Sequence, residues 1–281
     1  MPRDREVQGV RVPDLIYGTA WKEDATERLT SAALGAGFRG FDTANQRKHY
    51  HEEGVGRALR SALASRALKR EELFVQTKFT FRDGQDHRMP YDPRAPIAKQ
   101  VEQSMASSLD HLGIEQVDAY LLHGPSRREG IGRDDWEAWR ALEAEQRAGR
   151  TRAIGISNVS AGQLEEICAR ASVMPAYVQN RTFARPRADA AARNLCGRRG
   201  ILYQGFSLLT ANPAALRHPS LARIAQALAK TPEQVVLRYA VQAGIVPLTG
   251  TTSRRHMADD IAVREFSLSD AQAAAVGQLL A

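Results

Sequence analysis

The stretch Leu73-Phe74-Val75-Gln76-Thr77-Lys78 is a short, largely apolar run that ends in a lysine. A run of this length and composition is typical of a buried β-strand. Val117-Asp118-Ala119-Tyr120-Leu121-Leu122-His123 has the same form and ends in a histidine, and Phe41-Asp42-Thr43-Ala44 closes another apolar run with an aspartate. These strands are therefore predicted to carry polar residues at their C-terminal tips.

Longer amphipathic segments lie between the apolar runs, and the alternation repeats about eight times along the chain. The predicted strands are Leu15–Gly18, Arg39–Thr43, Leu73–Lys78, Ala119–His123, Thr151–Ile156, Ala176–Gln179, Ile201–Tyr203 and Ile245–Leu248. The predicted helices are Thr26–Ala36, Glu53–Ser65, Pro96–Leu112, Asp134–Ala148, Ser160–Arg170, Ala188–Cys196, Ser220–Ala229, Pro232–Gln242 and Ser269–Leu280. An uninterrupted series of β/α units predicts an α/β fold, a closed (β/α)8 TIM barrel.

The chain of 281 residues is expected to form a single domain, residues 1–281, because a barrel of this class commonly takes about 250 residues. A doubly wound dinucleotide fold is disfavoured, since no Gly-x-Gly-x-x-Gly follows an early strand. Two long predicted loops, Phe79–Ala95 and Gly124–Arg133, follow the third and fourth strands. Both would lie on the C-terminal face, where barrel enzymes carry their active sites.

The composition predicts a soluble, cytoplasmic protein that binds neither nucleic acid nor membrane. Hydrophobic residues make up 43% of the chain, but they form no apolar run long enough to span a bilayer or serve as a signal peptide. The net charge of +7 comes from basic residues scattered among acids, so it indicates at most a bias toward anionic ligands. Cys168 and Cys196 have no metal-ligand spacing and are expected to be inert thiols.

Four residues at or just past strand ends predict a site for proton transfer: Asp42, Tyr50, Lys78 and His123. A phenol has a pKa of about 10 and is a poor acid at neutral pH. A nearby Lys78 ammonium is expected to lower the pKa of Tyr50, with Asp42 holding Lys78 charged and oriented. His123 would polarise a carbonyl oxygen or relay the proton.

Each of these four residues also has an ordinary structural interpretation. Asp42 is compatible with a turn, Lys78 with a solvated strand end, His123 with a core histidine and Tyr50 with packing. Their order and their shared position at strand tips favour the catalytic interpretation over four independent coincidences.

The chain resembles the aldo-keto reductase superfamily from Tyr17-Gly18-Thr19-Ala20-Trp21 to His256. The motifs that carry the resemblance are Gly37-Phe38-Arg39-Gly40-Phe41-Asp42-Thr43-Ala44, Thr77-Lys78, Leu121-Leu122-His123, Gly155-Ile156-Ser157-Asn158 and Gln179-Asn180. The resemblance implies a (β/α)8 barrel that uses NADPH to reduce a small-molecule aldehyde or ketone to an alcohol, without a metal. It also implies Tyr50 as general acid, Lys78 and Asp42 as its tuners, and His123 as the residue that orients the carbonyl.

The same resemblance implies where the cofactor binds. Ser157, Asn158 and Gln179 would hydrogen-bond the nicotinamide carboxamide, and Phe206 would stack on the nicotinamide ring. The remaining implied cofactor contacts are Gly18, Thr19, Asp42, Ser207, Leu209, Gly250, Thr251, Ser253, Arg254 and His256. Hydroxyls and amides before a helix suit a phosphate, and Arg254, with Arg255 or His256, would favour NADPH over NADH. Asp260 is a departure here, because the family commonly has a neutral amide or a glutamate at that position.

The spacing around the general acid is a second departure from the family pattern. Asp42 and Tyr50 lie eight residues apart, whereas the family usually has five. An insertion at Asn45-Gln46-Arg47-Lys48 would restore Tyr50 as the acid, and a rival alignment would use His49. Trp21, Tyr50 and His123 are expected to contact the substrate, and Tyr91 is a weaker candidate for the pocket wall.

Two other functions remain open from the sequence. One is a regulatory or redox-sensing subunit that binds NADPH with little turnover. The other is a barrel aldolase in which Lys78 forms a Schiff base. The sequence does not predict the physiological substrate or the oligomeric state.

Overall fold

The chain folds as a closed eight-stranded parallel barrel. A computed structural model describes residues 5–66, 68–182 and 189–280. The barrel strands are β3 (Ile16–Gly18), β4 (Gly40–Asp42), β5 (Phe74–Phe79), β6 (Val117–Leu122), β7 (Thr151–Ser157), β8 (Tyr177–Arg181), β9 (Leu202–Phe206) and β10 (Val246–Thr249). Each strand pairs in parallel with its sequence neighbours, and β10 closes the barrel against β3. The predicted (β/α)8 barrel is confirmed.

Helices surround the barrel and cover its outer surface. They are α1 (Thr26–Ala36), α2 (Glu52–Ala64), α3 (Ile97–Leu112), α4 (Arg133–Arg147), α5 (Ala161–Arg170), α6 (Ala190–Arg199), α7 (Pro213–Leu216), α8 (Pro219–Ala227), α9 (Pro232–Gln242), α10 (Arg254–Ile261) and α11 (Asp270–Leu279). Capping residues fix several helix ends. Ser160 and Thr231 form capping boxes at the N-termini of α5 and α9. Gly37, with a φ of 105°, caps the C-terminus of α1. The predicted bounds hold to within a few residues; Ala188, the predicted start of α6, lies outside the described residues.

A short antiparallel hairpin precedes the barrel and was not predicted. Its strands are β1 (Arg5–Val7) and β2 (Val10–Val12), joined at Gln8-Gly9, where both residues have positive φ. Val10 and Val12 are buried together with Ile16, Phe74, Ala119, Leu121, Ala153, Ala176, Tyr177 and Val246. The hairpin therefore packs on the inward-facing apolar side chains of several barrel strands.

Polar side chains replace apolar ones toward the C-terminal ends of the strands. Gln76, Lys78, Gln179 and Gln204 are all buried, although they lie on strands or directly at their ends. A polar layer in a barrel interior must satisfy its own hydrogen bonds, and this layer positions the candidate site. No helix in the described residues is both long and apolar enough to cross a membrane.

Candidate active site

A cleft of about 1030 Å³ opens over the C-terminal ends of the barrel strands. The structure brings most of the predicted site residues to its wall. Those that line it are Gly18, Trp21, Asp42, Tyr50, His123, Ser157, Asn158, Gln179, Phe206, Ser207, Leu209, Gly250, Thr251 and His256. Residues that lie far apart in the sequence, most of them at strand tips, therefore line the same cleft.

Several predicted residues lie off the cleft wall. Lys78 is completely buried beneath it, and Thr19 is buried with its hydroxyl donating to the Asp42 carbonyl at 2.9 Å. The Ser253 hydroxyl instead caps α10 by accepting from the His256 amide, and Arg254 is exposed outside the wall. The weaker prediction that Tyr91 lines the pocket wall is wrong. Tyr91 is buried, and its hydroxyl donates to the Thr80 carbonyl at 2.8 Å.

Asp42 and Lys78 form a buried ion pair at the base of the cleft. The Lys78 Nζ lies 2.7 Å from each Asp42 carboxylate oxygen and donates to the Thr43 carbonyl at 2.9 Å. An ammonium has three hydrogens, so these three contacts use all of them. Burial lowers the pKa of Lys78, and the Asp42 charge opposes that shift.

A ring of three glutamines holds the Asp42 carboxylate and was not anticipated. The Nε2 atoms of Gln76 and Gln179 donate to Asp42 Oδ1 at 2.6 and 2.8 Å. Both also donate to Gln204 Oε1, and Gln204 Nε2 donates back to Gln76 Oε1 at 2.8 Å. With Lys78, these amides give the carboxylate four hydrogen bonds from three donor groups, which hold it in a single orientation.

Tyr50 lies above this ion pair and beside His123. The Lys78 Nζ is 5.2 Å from the centre of the Tyr50 ring, and the Tyr50 and His123 ring centres are 6.0 Å apart. The predicted lowering of the Tyr50 pKa is not found: burial raises that pKa, and the Asp42 charge adds to the rise. The physical reason is that every Lys78 donor is already committed to Asp42 and Thr43, so none reaches the phenol oxygen.

His123 is held from behind by a threonine. Thr80 Oγ1 lies 2.6 Å from His123 Nδ1, and the His123 amide donates to the Phe79 carbonyl at 2.8 Å. Burial lowers the pKa of His123 to about 3, and the nearby Lys78 charge acts in the same direction. The imidazole is therefore neutral at physiological pH.

His49 occupies a different place from Tyr50. Its ring stacks on the Trp21 indole with centres 3.8 Å apart, and its Nδ1 lies 2.8 Å from Gln46 Oε1. Trp21 is 69% exposed at the rim. His49 thus belongs to the outer wall of the cleft, whereas Tyr50 lies over Lys78.

Ser157 and Asn158 form the cleft wall after β7. The Ser157 hydroxyl donates to the Gln179 carbonyl at 2.6 Å, and Asn158 Nδ2 donates to the His123 carbonyl at 2.8 Å. Asn158 adopts a left-handed conformation with a φ of 52°, a strained geometry for a residue other than glycine. These contacts connect the segment after β7 to the end of the cleft that contains His123.

The far end of the cleft combines cations and carboxylates. Arg255 and His256 from α10 line it, and Arg255 pairs with Asp259 at 3.8 Å. Lys22, which the sequence did not single out, also lines it and donates to the Gly250 carbonyl. Arg255 rather than the predicted Arg254 faces the cleft, because the two residues begin a helix and point in different directions.

Asp260 is a buried carboxyl at this end of the cleft, and it makes the stability of the protein depend on pH. Its Oδ2 accepts from the Thr249 hydroxyl at 2.6 Å, and burial raises its pKa from 3.8 to about 6. Because the folded state holds this proton more tightly, Asp260 makes the free energy of unfolding fall as the pH rises from about 4 to 6.

We therefore expect Asp260→Asn to be more stable than the wild type at pH 7.5, by about 1–3 kcal/mol. Urea unfolding at pH 4 and pH 7.5 measures the difference, with the exposed Asp110→Asn as the control. Equal stabilities of Asp260→Asn and wild type at pH 7.5 would contradict a raised pKa.

Within the described residues, no cluster of three or more histidine, cysteine, aspartate or glutamate side chains is arranged to hold a metal ion. At one end of the cleft, the Tyr50 phenol and the imidazoles of His49 and His123 line the wall, and the Asp42–Lys78 ion pair lies beneath them. A closed (β/α)8 barrel with such groups at its C-terminal strand ends has the architecture of a barrel enzyme.

Comparison with known proteins defines the class further. The sequence profile of the aldo/keto reductase family matches residues 15–281. The uncharacterized oxidoreductase YtbE of Bacillus subtilis is 30% identical over 263 residues, which cover 93% of this chain and 86% of that protein. An aldo-keto reductase of Mycolicibacterium vanbaalenii is 31% identical over 275 residues, covering 95% and 88% of the two chains.

Solved structures agree with this. The crystal structure of an aldo/keto reductase from Brucella melitensis matches with a TM-score of 0.83 and 25% identity, covering 99% of this chain and 100% of that one. The NADPH complex of the aldo-keto reductase AKR2E5, a silkworm (Bombyx mori) enzyme, matches with a TM-score of 0.84 and 25% identity, covering 99% and 88%. The chain belongs to the aldo/keto reductase family of oxidoreductases, and the predicted enzyme class is confirmed.

Proposed function

We propose that this protein reduces an aldehyde or ketone to an alcohol with NADPH. The observation that carries the proposal is the buried Asp42–Lys78 pair directly beneath Tyr50 and His123, at one end of the cleft. Burying a pair of charges costs free energy because both lose their hydration. Here the pair lies beneath Tyr50 and His123, whose polar atoms can contact a carbonyl oxygen.

The cleft fits a dinucleotide in size and in the distribution of its polar groups. Its volume of about 1030 Å³ is at the upper end of the range of about 300–1,000 Å³ for ligand pockets. Asn158 and Gln179 offer amide groups near His123, and Gln179 Oε1 has no hydrogen-bond partner in the described part of the chain. We expect these amides to hold the nicotinamide carboxamide and Phe206 to support its ring; when bound, the cofactor supplies the hydride.

NADPH is proposed over NADH because Arg255 and His256 line the far end of the cleft, beside the N-terminus of α10. An arginine and a helix N-terminus both favour a phosphate. Asp259 and Asp260 lie at the same end and partly offset this attraction, so we expect a moderate preference rather than an absolute one.

His123 is assigned to orient the carbonyl. A neutral imidazole donates one hydrogen bond without bringing a net charge. Its contact with Thr80 fixes the ring, and its position beside Tyr50 brings two polar groups toward one substrate oxygen.

Tyr50 is assigned as the general acid. Its raised pKa keeps the phenol protonated at neutral pH, and an alkoxide forming at the carbonyl oxygen is a stronger base than a phenolate. The Lys78 charge 5.2 Å from the ring centre favours the phenolate left behind. His49 fits the role less well, because burial and the Lys48 charge lower its pKa and it stacks on Trp21 at the rim.

The aldolase alternative lacks an available nucleophile. Lys78 is completely buried, and its three hydrogens are bound to Asp42 and Thr43. A Schiff base requires a neutral amine that a carbonyl carbon can reach.

A fluorescence titration of the protein with NADPH and NADH, followed by turnover of a reactive aromatic aldehyde, tests the proposal. We expect NADPH to bind several-fold more tightly than NADH, with turnover. Binding without turnover of any aldehyde tried would support a regulatory subunit instead. No binding of either nucleotide would contradict the proposed function.

A further inference from the structure

Two histidines line the same end of the cleft, and each has one ring nitrogen held by a protein group. His49 Nδ1 contacts Gln46 Oε1 at 2.8 Å, and His123 Nδ1 contacts Thr80 Oγ1 at 2.6 Å. A neutral imidazole has one donor and one acceptor nitrogen. The partner of each Nδ1 therefore decides what the other nitrogen, Nε2, offers to a substrate.

The orientation of the Gln46 amide fixes the His49 tautomer. Gln46 Nε2 donates to the Gly84 carbonyl at 2.7 Å, which can only accept, so the amide cannot be reversed without losing this bond. Gln46 Oε1 then accepts from His49, and the proton must lie on Nδ1. Since burial and Lys48 lower the pKa of His49, the ring is neutral and its Nε2 is an acceptor.

The Thr80 hydroxyl supports the opposite tautomer in His123. Within residues 5–66, 68–182 and 189–280, the hydroxyl has no hydrogen-bond partner other than His123 Nδ1. Donation of this hydroxyl to Nδ1 leaves the single proton of the neutral ring on Nε2, which is the donor that the carbonyl-orienting role proposed for His123 requires.

We propose that His49 and His123, held in opposite tautomers, make the cleft select carbonyl compounds that carry a hydroxyl group close to the carbonyl. His123 Nε2–H donates to the carbonyl oxygen, and His49 Nε2 accepts from the neighbouring hydroxyl. This inference rests on the proposed reductase function. Gln46 and Thr80 are positioning residues that act through the histidines, and stacking on Trp21 fixes the plane of the His49 ring.

The selectivity follows from the cost of an unpaired polar group. An analogue without the hydroxyl leaves the His49 acceptor facing an apolar part of the substrate. Sites built to hydrogen-bond a substrate hydroxyl discriminate strongly against analogues that lack it. One neutral hydrogen bond gives an expected preference of about tenfold in kcat/KM.

The tautomers can be measured without cofactor or turnover. Long-range ¹H–¹⁵N correlation spectra of the ¹⁵N-histidine-labelled protein, assigned with His49→Phe and His123→Phe, distinguish the two forms. We expect the proton on Nδ1 in His49 and on Nε2 in His123, and we expect Thr80→Val, but not Thr80→Ser, to change the His123 pattern. The same tautomer in both rings would overturn the proposal.

A substrate comparison tests the selectivity itself. We expect the ratio of kcat/KM for glyceraldehyde to that for propanal to fall about tenfold in His49→Phe, which keeps an aromatic ring against Trp21. His218→Phe, a change at an exposed histidine off the cleft wall, should leave the ratio unchanged. An unchanged ratio in His49→Phe would overturn the proposal. Failure of the wild type to reduce either aldehyde would count against the reductase function. The NMR spectra would then still show whether the two histidines have opposite tautomers.

Discussion

Tyr50→Phe is expected to lower kcat for aldehyde reduction by about 10²–10⁴-fold, the usual contribution of a general acid. The substitution removes only the phenol hydroxyl and keeps the ring over Lys78 and beside His123. NADPH affinity should change little, because the cofactor contacts proposed for the amides and the α10 end do not involve Tyr50. Steady-state kinetics together with NADPH fluorescence titration measure both quantities.

The controls for this prediction separate Tyr50 from its neighbour. Tyr239→Phe removes a hydroxyl on α9 outside the cleft and should leave kcat unchanged. His49→Ala should keep most of the activity toward an aldehyde without a hydroxyl group. If Tyr50→Phe stays active while His49→Ala is inactive, the proton donor is His49 and the assignment of Tyr50 is wrong.

Lys78→Met is expected to abolish measurable reduction and to lower the free energy of unfolding by about 3–5 kcal/mol. Methionine replaces the aliphatic part of the Lys78 side chain. It leaves the Asp42 carboxylate, which is only 3% exposed, without its counter-charge. Gln76 and Gln179 still donate to that carboxylate, but amide dipoles do not neutralise it. Urea unfolding and steady-state kinetics check the two effects.

A second variant distinguishes loss of charge from loss of packing. Lys78→Met combined with Asp42→Asn removes both charges and should recover at least half of the lost stability, with no recovery of activity. Lys99→Met, at an exposed position on α3, should cost less than about 1 kcal/mol. A Lys78→Met protein that unfolds at the wild-type urea concentration would show that the buried pair is not required for the fold.

The barrel and the strand-tip residues were predictable because both depend on local patterns. Apolar runs such as those ending at Asp42, Lys78 and His123 mark strands, and parallel strands bring their ends to one face. The hairpin of β1 and β2 was missed because its strands are only three residues long, too short for a period-two pattern to be recognised.

The glutamine ring and the threonine behind His123 depend on tertiary contacts that no local pattern encodes. Gln76 and Gln204 are 128 positions apart, and a buried glutamine on a strand carries no signal of its partner. Thr80 and His123 meet because neighbouring strands end in register. A partial signal existed for Gln76, since a glutamine inside an apolar run needs a buried partner.

The raised pKa of Tyr50 differs from expectation for a similar reason. The order of Asp42, Tyr50 and Lys78 in the sequence predicts that they meet, but not how the three ammonium hydrogens are shared. Asp42 and Thr43 take all of them. The Lys78 charge therefore acts on Tyr50 through space, without a direct hydrogen bond.

The most direct test of the central claim is to follow deuterium from NADPH labelled at the transferable C4 position into the product of a reactive aromatic aldehyde. Mass spectrometry of the alcohol should show one deuterium on the carbinol carbon with the wild-type protein, and its rate of appearance should fall about 10²–10⁴-fold with Tyr50→Phe. An alcohol without deuterium, or no alcohol from any aldehyde despite tight NADPH binding, would contradict direct reduction of a carbonyl at this site.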